Sequence, residues 1–407
     1  MSYPIPKSTI IKLSEQFNDT VFQSKPSNYW DKYLHSGTSL WLDTGDIVSA
    51  KKIWAEEFSA LTTNNTLLNN EVQKGIYDNT IPVIAKHIKE NKGEYNIQDI
   101  AFCLNAIHGL RLVKIFNCNV SVELHTDIAH NINQIAEVGA SLHSICPKHF
   151  IIKVPFTSAG LIGARKLHDK GIPVNFTLDF SVRQNIFASV VAQAQYSNVF
   201  LGRLGAYLKN NKLGEGLYIG EKVTLETQHC LRSLINKNIS KTKLIAASIR
   251  SPEQLQHLLG TDIFTIPSKV ADEAIKAKLN IDGSHINEIP EPELFDENDV
   301  KKLRLKHLWQ AQDHEKEIVL HLNEKLPNTA AELEEYAHNH GCHDLFPKLD
   351  KKEHQTLRED GKIPIHKKWN QKIINREIGI DSLLNIAGLY SFMHDQAQLD
   401  KRIQKYI

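Results

Sequence analysis

From about residue 39 to 268, short runs of β-branched and other apolar residues alternate with longer stretches of helical periodicity. The runs are SLWLDTGD (39–46), ALTTN (60–64), VSVEL (120–124), FIIKVP (150–155), PVNFTLDF (173–180), VFLGRL (199–204), KLIAASI (243–249) and DIFTIP (262–267). Between them, segments such as SAGLIGARKLHDKG and VRQNIFASVVAQAQ space their apolar residues as a helix does. Strands alternating with helices predict a parallel sheet, and eight strands close a (β/α)8 (TIM) barrel. Residues 1–37 read as a helical lead-in, with aromatic anchors in NYWDKYL, and 38–290 as the barrel. The texture changes near 290, where EIPEPELFDENDVKKLRLKH opens a charged, His-rich helical and loop insertion over 291–375. An amphipathic helix within 376–407 then packs on the barrel.

The strands carry polar residues where barrel strands are expected to be apolar on both faces. In FIIKVP, Lys153 shares a face with Ile151 and Pro155. An amine there is costly to desolvate unless it finds partners, or it snorkels from a strand end to water. Glu123 stands out of phase with Val122 and Leu124, and Asn175, Thr177 and Asp179 share one phase of PVNFTLDF. Asp43 and Asn64 end their runs, while period two puts Ser248 and Arg250 on one face and leaves Arg203 ending the strand before. Strand C-termini converge on the active site of such a barrel, so these residues are expected to form an enzyme site.

Composition narrows the partners. Lys and Arg (48) balance Asp and Glu (47), so no overall field attracts nucleic acid or anionic lipid, and an anionic ligand needs local cations. Five separated cysteines without a CxxC pair suit reduced thiols. No apolar run suggests a signal peptide or a membrane span, and a cytoplasmic location is expected. HNHGCHD (338–344) offers His338, His340, Cys342 and His343, but no second ligand pair sits at finger spacing, so a solvated loop is expected and no metal.

FIIKVPFTSAGLIGARKLHDKGIPVNFTLDFS resembles the core of the transaldolase family, in which a lysine strand leads through a helix to an N-x-T strand. LWLDTGDI, ALTTN, VSVEL, VFLGR and AASIR resemble further motifs of that family, in the same order, and LYSFMHDQAQLDKRI resembles its last helix. Three departures stand out: Asn65-Thr66 for Pro-Ser, Asn198-Val199-Phe200 for Ser-Pro-Phe, and no acidic residue shortly after Arg203. The segment 295–375 has no counterpart in the short enzymes.

The resemblance implies roles. Lys153 would form the Schiff base, Asp43 would act as acid/base at the sugar C4 hydroxyl, and Glu123 with Thr177 would hold a proton-shuttling water. Asn64 and Asn175 would bind the dihydroxyacetone hydroxyls, Phe200 would line the pocket, and Arg203, Ser248 and Arg250 would grip phosphate. The implied activity is transfer of dihydroxyacetone between sedoheptulose 7-phosphate or fructose 6-phosphate and glyceraldehyde 3-phosphate or erythrose 4-phosphate, in the pentose phosphate pathway. No cofactor is expected. Sugar phosphates are the expected partners, with a homodimer as the candidate assembly. Glu123, where the fructose-6-phosphate aldolase branch has Gln, favours the transferase. A lyase of the same fold and a non-catalytic interaction barrel remain the alternatives.

Overall fold

Strand-length apolar runs and the helices between them pair here in chain order, as a computed structural model describes for residues 4–407. The strands are β1 (Ser39–Asp43), β2 (Phe58–Thr62), β3 (Asn119–Glu123), β4 (Phe150–Pro155), β5 (Val174–Thr177), β6 (Tyr196–Phe200), β7 (Lys243–Ala247) and β8 (Ile263–Pro267). All neighbours are parallel and β1 pairs with β8, so the sheet closes into an eight-stranded barrel with helices outside. No helix among the described residues is long and apolar enough to cross a membrane.

Alternation along each strand divides the side chains into an outer set, buried under helices, and an inner set. Leu40, Leu42, Val120, Val122, Ile152 and Phe176 belong to the buried apolar core. Trp41 on β1 meets Tyr196 on β6 edge-on at 4.9 Å, and strands so far apart can touch only through the interior. These rings fill the lower barrel. The next inward positions toward the strand C-termini carry the polar groups, so the pocket has an apolar floor. At the other end, Trp30 and Tyr33 of the helix Asn28–His35 pack edge-on against Phe58 and Phe264.

Six strands stop short of the runs read from the sequence, and at three of them the difference moves a site residue. VFLGRL is strand only to Phe200, and Leu201–Asn210 is helix, so Arg203 sits in a first helical turn rather than on a strand end. PVNFTLDF leaves the sheet after Thr177, where Leu178 takes φ 68°, so Asp179 does not continue the face of Asn175 and Thr177. KLIAASI ends at Ala247, and Ser248 takes φ 63°. Left-handed backbone at non-glycine residues is costly and concentrates where a site fixes the chain.

Beyond the helix Ser268–Ala277 the chain forms short helices, among them Asp313–Glu324, Ala330–Asn339, Lys351–Asp360 and His366–Ile374, then a terminal helix, Ile380–Lys405. A buried charge cluster ties them to the barrel. Arg183, just after β5, makes a fork to Asp381 (2.7 Å for both bonds) and reaches Asp344 (3.0 Å) and Glu315 (3.2 Å). Arg304 adds a second guanidinium on Asp344 at 2.7 Å. The terminal helix then crosses the C-terminal face. Its Asn385 donates to Leu178 O, Gln396 accepts from Asn65, and Arg402 forks onto Asp78.

Candidate active site

Lys153 lies between Glu123 and Asn175 because β4 pairs in that register with β3 and β5. Its side chain is 5% exposed, so it does not snorkel to bulk water. The Nζ donates to Thr63 O at 3.2 Å and stands 3.5 Å from Glu123 Oε2. Burial raises the Glu123 carboxyl above its ordinary range, with the Lys153 charge only partly offsetting it. Asp43 faces the same pocket from β1 and is also raised by burial, against the pull of Lys153, Thr62 and Arg250. Thr62 Oγ1 donates to Asp43 Oδ1 at 2.9 Å and lies 2.6 Å from Thr265 Oγ1, so one hydroxyl holds the carboxylate and a second holds that hydroxyl. Neither threonine was singled out from the sequence, although each stands in polar phase on its own strand.

An amide chain continues around the wall. Asn175 donates to Ser121 Oγ (2.9 Å) and accepts from Asn198 Nδ2 (2.7 Å). Asn198, where the family motif has serine, thereby braces Asn175. Asn64 Oδ1 caps the helix Asn65–Gln73 through Leu67 N at 2.8 Å, and its residue lines the pocket. Thr177 Oγ1 and Glu123 Oε2 are buried without a hydrogen-bond partner among the described residues. Buried polar oxygens of this kind are ordinarily satisfied by a bound water or a ligand.

The opposite end of the pocket is cationic. Arg203 is buried, with its guanidinium 5.4 Å from the Phe200 ring and 5.5 Å from Phe392 of the terminal helix. Its Nη1 has no hydrogen-bond partner among the described residues. Burial first, and the Arg250 charge second, push the group down to about 10, still protonated at neutral pH. Arg250 Nη2 donates to Ser248 Oγ at 2.9 Å. The period-two strand reading of Ser248 and Arg250 does not hold, because the strand has ended; the turn at Ser248 joins them instead. Gly202 lets the first turn carrying Arg203 approach: a Cβ there would lie 2.1 Å from Ser248 O. The pocket encloses about 230 Å³ and is lined by Asp43 and Lys153 together with Phe200, Arg203, Ser248 and Arg250.

The His-rich loop lies away from this pocket. His338 Nε2 bonds Phe346 O (2.6 Å), and His340 stacks on Tyr336 with centroids 4.1 Å apart. Cys342 instead meets His314 and Glu315, their donor atoms lying within 4.8 Å of one another. The Glu315 carboxylate there already receives Arg183 and the Gln312 amide.

Residues 40–324 match the family model described as transaldolase/fructose-6-phosphate aldolase, well over half of the chain. The chain belongs to this family. It is similar to a transaldolase of Chlamydia felis, 27% identical over 249 residues, which cover 59% of this chain and 74% of that one. A probable transaldolase of Dictyostelium discoideum is 24% identical over 296 residues, covering 69% and 89%. A probable transaldolase of Lactiplantibacillus plantarum is 36% identical over 124 residues, covering 30% and 51%. The fold and family make this an enzyme of the transaldolase or aldolase type. The family match stops at residue 324, yet Lys362, Ser391, Phe392 and Asp395 line the transaldolase-like pocket from beyond it.

Proposed function

We propose that this enzyme moves a dihydroxyacetone unit from a ketose phosphate to an aldose phosphate through a Schiff base on Lys153. The observation that carries the reading is a nearly buried amine at the centre of the polar layer, with a raised carboxyl at 3.5 Å and a second one, Asp43, in the same pocket. Lys153 Nζ adds to C2 of the donor, and loss of water gives the imine. Glu123, with a water also held by Thr177, passes the protons that this dehydration and the later hydrolysis need. Asp43 takes the C4 hydroxyl proton as the C3–C4 bond breaks, its electron pair flowing into the iminium to leave an enamine and a free aldose. The acceptor aldehyde then bonds to the enamine carbon and receives the proton back from Asp43. Because the iminium is itself the electron sink, this route requires no further electrophile.

Asn64 and Asn175 suit the hydroxyls of the three-carbon unit, and Arg203, Ser248 and Arg250 suit the terminal phosphate, where charge-assisted forks bind best. Sedoheptulose 7-phosphate or fructose 6-phosphate as donor, with glyceraldehyde 3-phosphate or erythrose 4-phosphate as acceptor, place the enzyme in the pentose phosphate pathway of the cytoplasm. Borohydride reduction in the presence of fructose 6-phosphate should leave one covalent adduct, mapping to Lys153 by mass spectrometry. Lys153→Arg keeps the charge but cannot form the imine, so both adduct and turnover should disappear. An adduct that persists in Lys153→Arg sinks the proposal. Free dihydroxyacetone released in preference to transfer product would instead mark a lyase.

A further inference from the structure

The appendage reaches the pocket at one point, the turn between the helices Lys351–Asp360 and His366–Ile374. Gly361, with φ 71°, makes the turn, and Lys362 follows it. Lys362 lines the same pocket as Arg203, Ser248 and Arg250, and makes no ion pair or hydrogen bond among the described residues. The turn is held on both sides. Asp360 accepts from Ile365 N at 3.0 Å and pairs with Lys368 at 2.5 Å. Pro364 O accepts from Asn211 Nδ2 (3.0 Å), His366 N donates to Asn211 Oδ1 (2.8 Å), and the His366 ring bonds the Tyr207 hydroxyl (2.7 Å). Tyr207 lies in the helix Leu201–Asn210, four residues after Arg203 and so on the same side of it. The framework that fixes Arg203 therefore fixes the base of the Lys362 turn as well.

The charges of the pocket support a role. Its lining carries Lys153, Arg203, Arg250 and Lys362 against Asp43 and Asp395. In a chain of net charge +1, such an excess is a local design, not a reflection of composition. We infer that Lys362 is a specificity-determining residue that joins Arg203, Ser248 and Arg250 around the terminal phosphate monoester of the substrate. The inference rests on the proposed phosphate end of the site and extends it to a segment outside the family match. Lys362 is solvent-exposed at rest, so its contribution is smaller than that of buried Arg203, and it comes from a flexible stem that can follow sugars of different length.

The test compares Lys362→Ala, Lys362→Glu and Lys362→Arg with the wild type by two readouts. Calorimetric binding of inorganic phosphate, which needs no imine, should weaken about tenfold in Lys362→Ala, further in Lys362→Glu, and recover in Lys362→Arg. Half-saturation of the trapped adduct should shift likewise for fructose 6-phosphate and stay put for unphosphorylated fructose, with the melting temperature unchanged. Phosphate affinity equal in Lys362→Ala and wild type would overturn the inference, as would an equal shift for both donors. If no adduct forms in the wild type while phosphate binding still depends on Lys362, the imine reading falls and this inference stands.

Discussion

Asp179 is fully buried, neither carboxylate oxygen has a hydrogen-bond partner among the described residues, and only the nearby Asn198 backbone amide offsets the burial. Its carboxyl is consequently pushed well above the ordinary carboxylate range. A raised folded value means the fold prefers the protonated form. The stability that proton supplies is complete below the unfolded value near 3.8 and is lost as pH climbs toward the raised one. Asp179→Asn removes the titration, so it should match wild type at acid pH and exceed it at neutral pH, by about 1–3 kcal/mol. Melting temperatures from pH 4 to 8 decide it: parallel curves would mean that Asp179 does not titrate in this way. The raised carboxyl of Asp43 has a kinetic counterpart. In the proposed role of base it must be ionised, so turnover should fall with decreasing pH at values above an ordinary carboxylate's, and Asp43→Asn should cost about 10²–10⁴-fold. A pH profile whose acid limb is unchanged in the variant would show that another group is titrating. Asp43, Lys153, Glu123, Asn64, Asn175 and Thr177 stood out in the sequence as polar residues on apolar strands, because strand alternation exposes a polar residue wherever apolar neighbours are expected, whereas Phe200 was named only through the family resemblance. Thr62, Thr265 and Ser121 did not stand out, because a short hydroxyl is unremarkable in a β-branched run. Their importance comes only from register, which pairs Asp43 with Thr62 and Thr62 with Ser121.

At the scale of elements, the site depends on how closely helices approach strand ends. Gly388 sits inside the terminal helix, and a Cβ there would come 2.7 Å from Arg203 Nη1 and 2.9 Å from a Leu178 methyl. Gly→Ala in a helix interior adds up to about 1 kcal/mol of helix preference, so Gly388→Ala is expected to fold normally while displacing the guanidinium. Its KM for phosphorylated donors should rise severalfold with little change in melting temperature. A large drop in melting temperature would show that Leu178, not Arg203, meets the new methyl. The strands themselves were visible as apolar runs, but most of their ends were not, three of them at the site. VFLGRL runs on from Phe200 into Leu201 without a polar break, KLIAASI resumes with Ile249 after the bend, and apolar sequence does not distinguish a strand from the first turn of a buried helix. What stops the strands is spatial: Gly202 against Ser248 O, and left-handed backbone at Leu178 and Ser248. Arg203 does line the pocket, but from a helix and not from the strand end to which the sequence assigned it. Lys362 carried no signal, since a lysine in a polar turn is the commonest solvated residue and only the fold brings it to the pocket.

On the scale of the whole molecule, the appendage and barrel act as one body through Arg183. Burial alone would raise Asp344, but Arg183 and Arg304 hold its carboxyl down to about 2. A depressed value means that this stability is present above about 3.8 and is lost only as pH falls toward 2. The link should therefore survive mildly acid conditions and, being buried, high salt. Arg183→Met leaves Asp381, Asp344 and Glu315 buried without their shared cation, and removing one partner of a buried pair costs about 3–5 kcal/mol. Limited proteolysis should then cut between 291 and 375 first, while the barrel remains intact. Uniform cleavage across the chain would place Arg183 in the barrel's own stability instead. The terminal helix has a consequence for the order in which the protein is made. Gln396 bonds Asn65 across 331 positions of sequence, and Phe392 completes the cage around Arg203 only once that contact forms. Every strand, and Lys153 with them, leaves the ribosome before this helix exists, and contacts of such long range close late. The nascent barrel thus presents Lys153 in a pocket that still lacks the wall supplied by Ser391, Phe392 and Asp395, and the enclosure is complete only when the helix lies across the mouth.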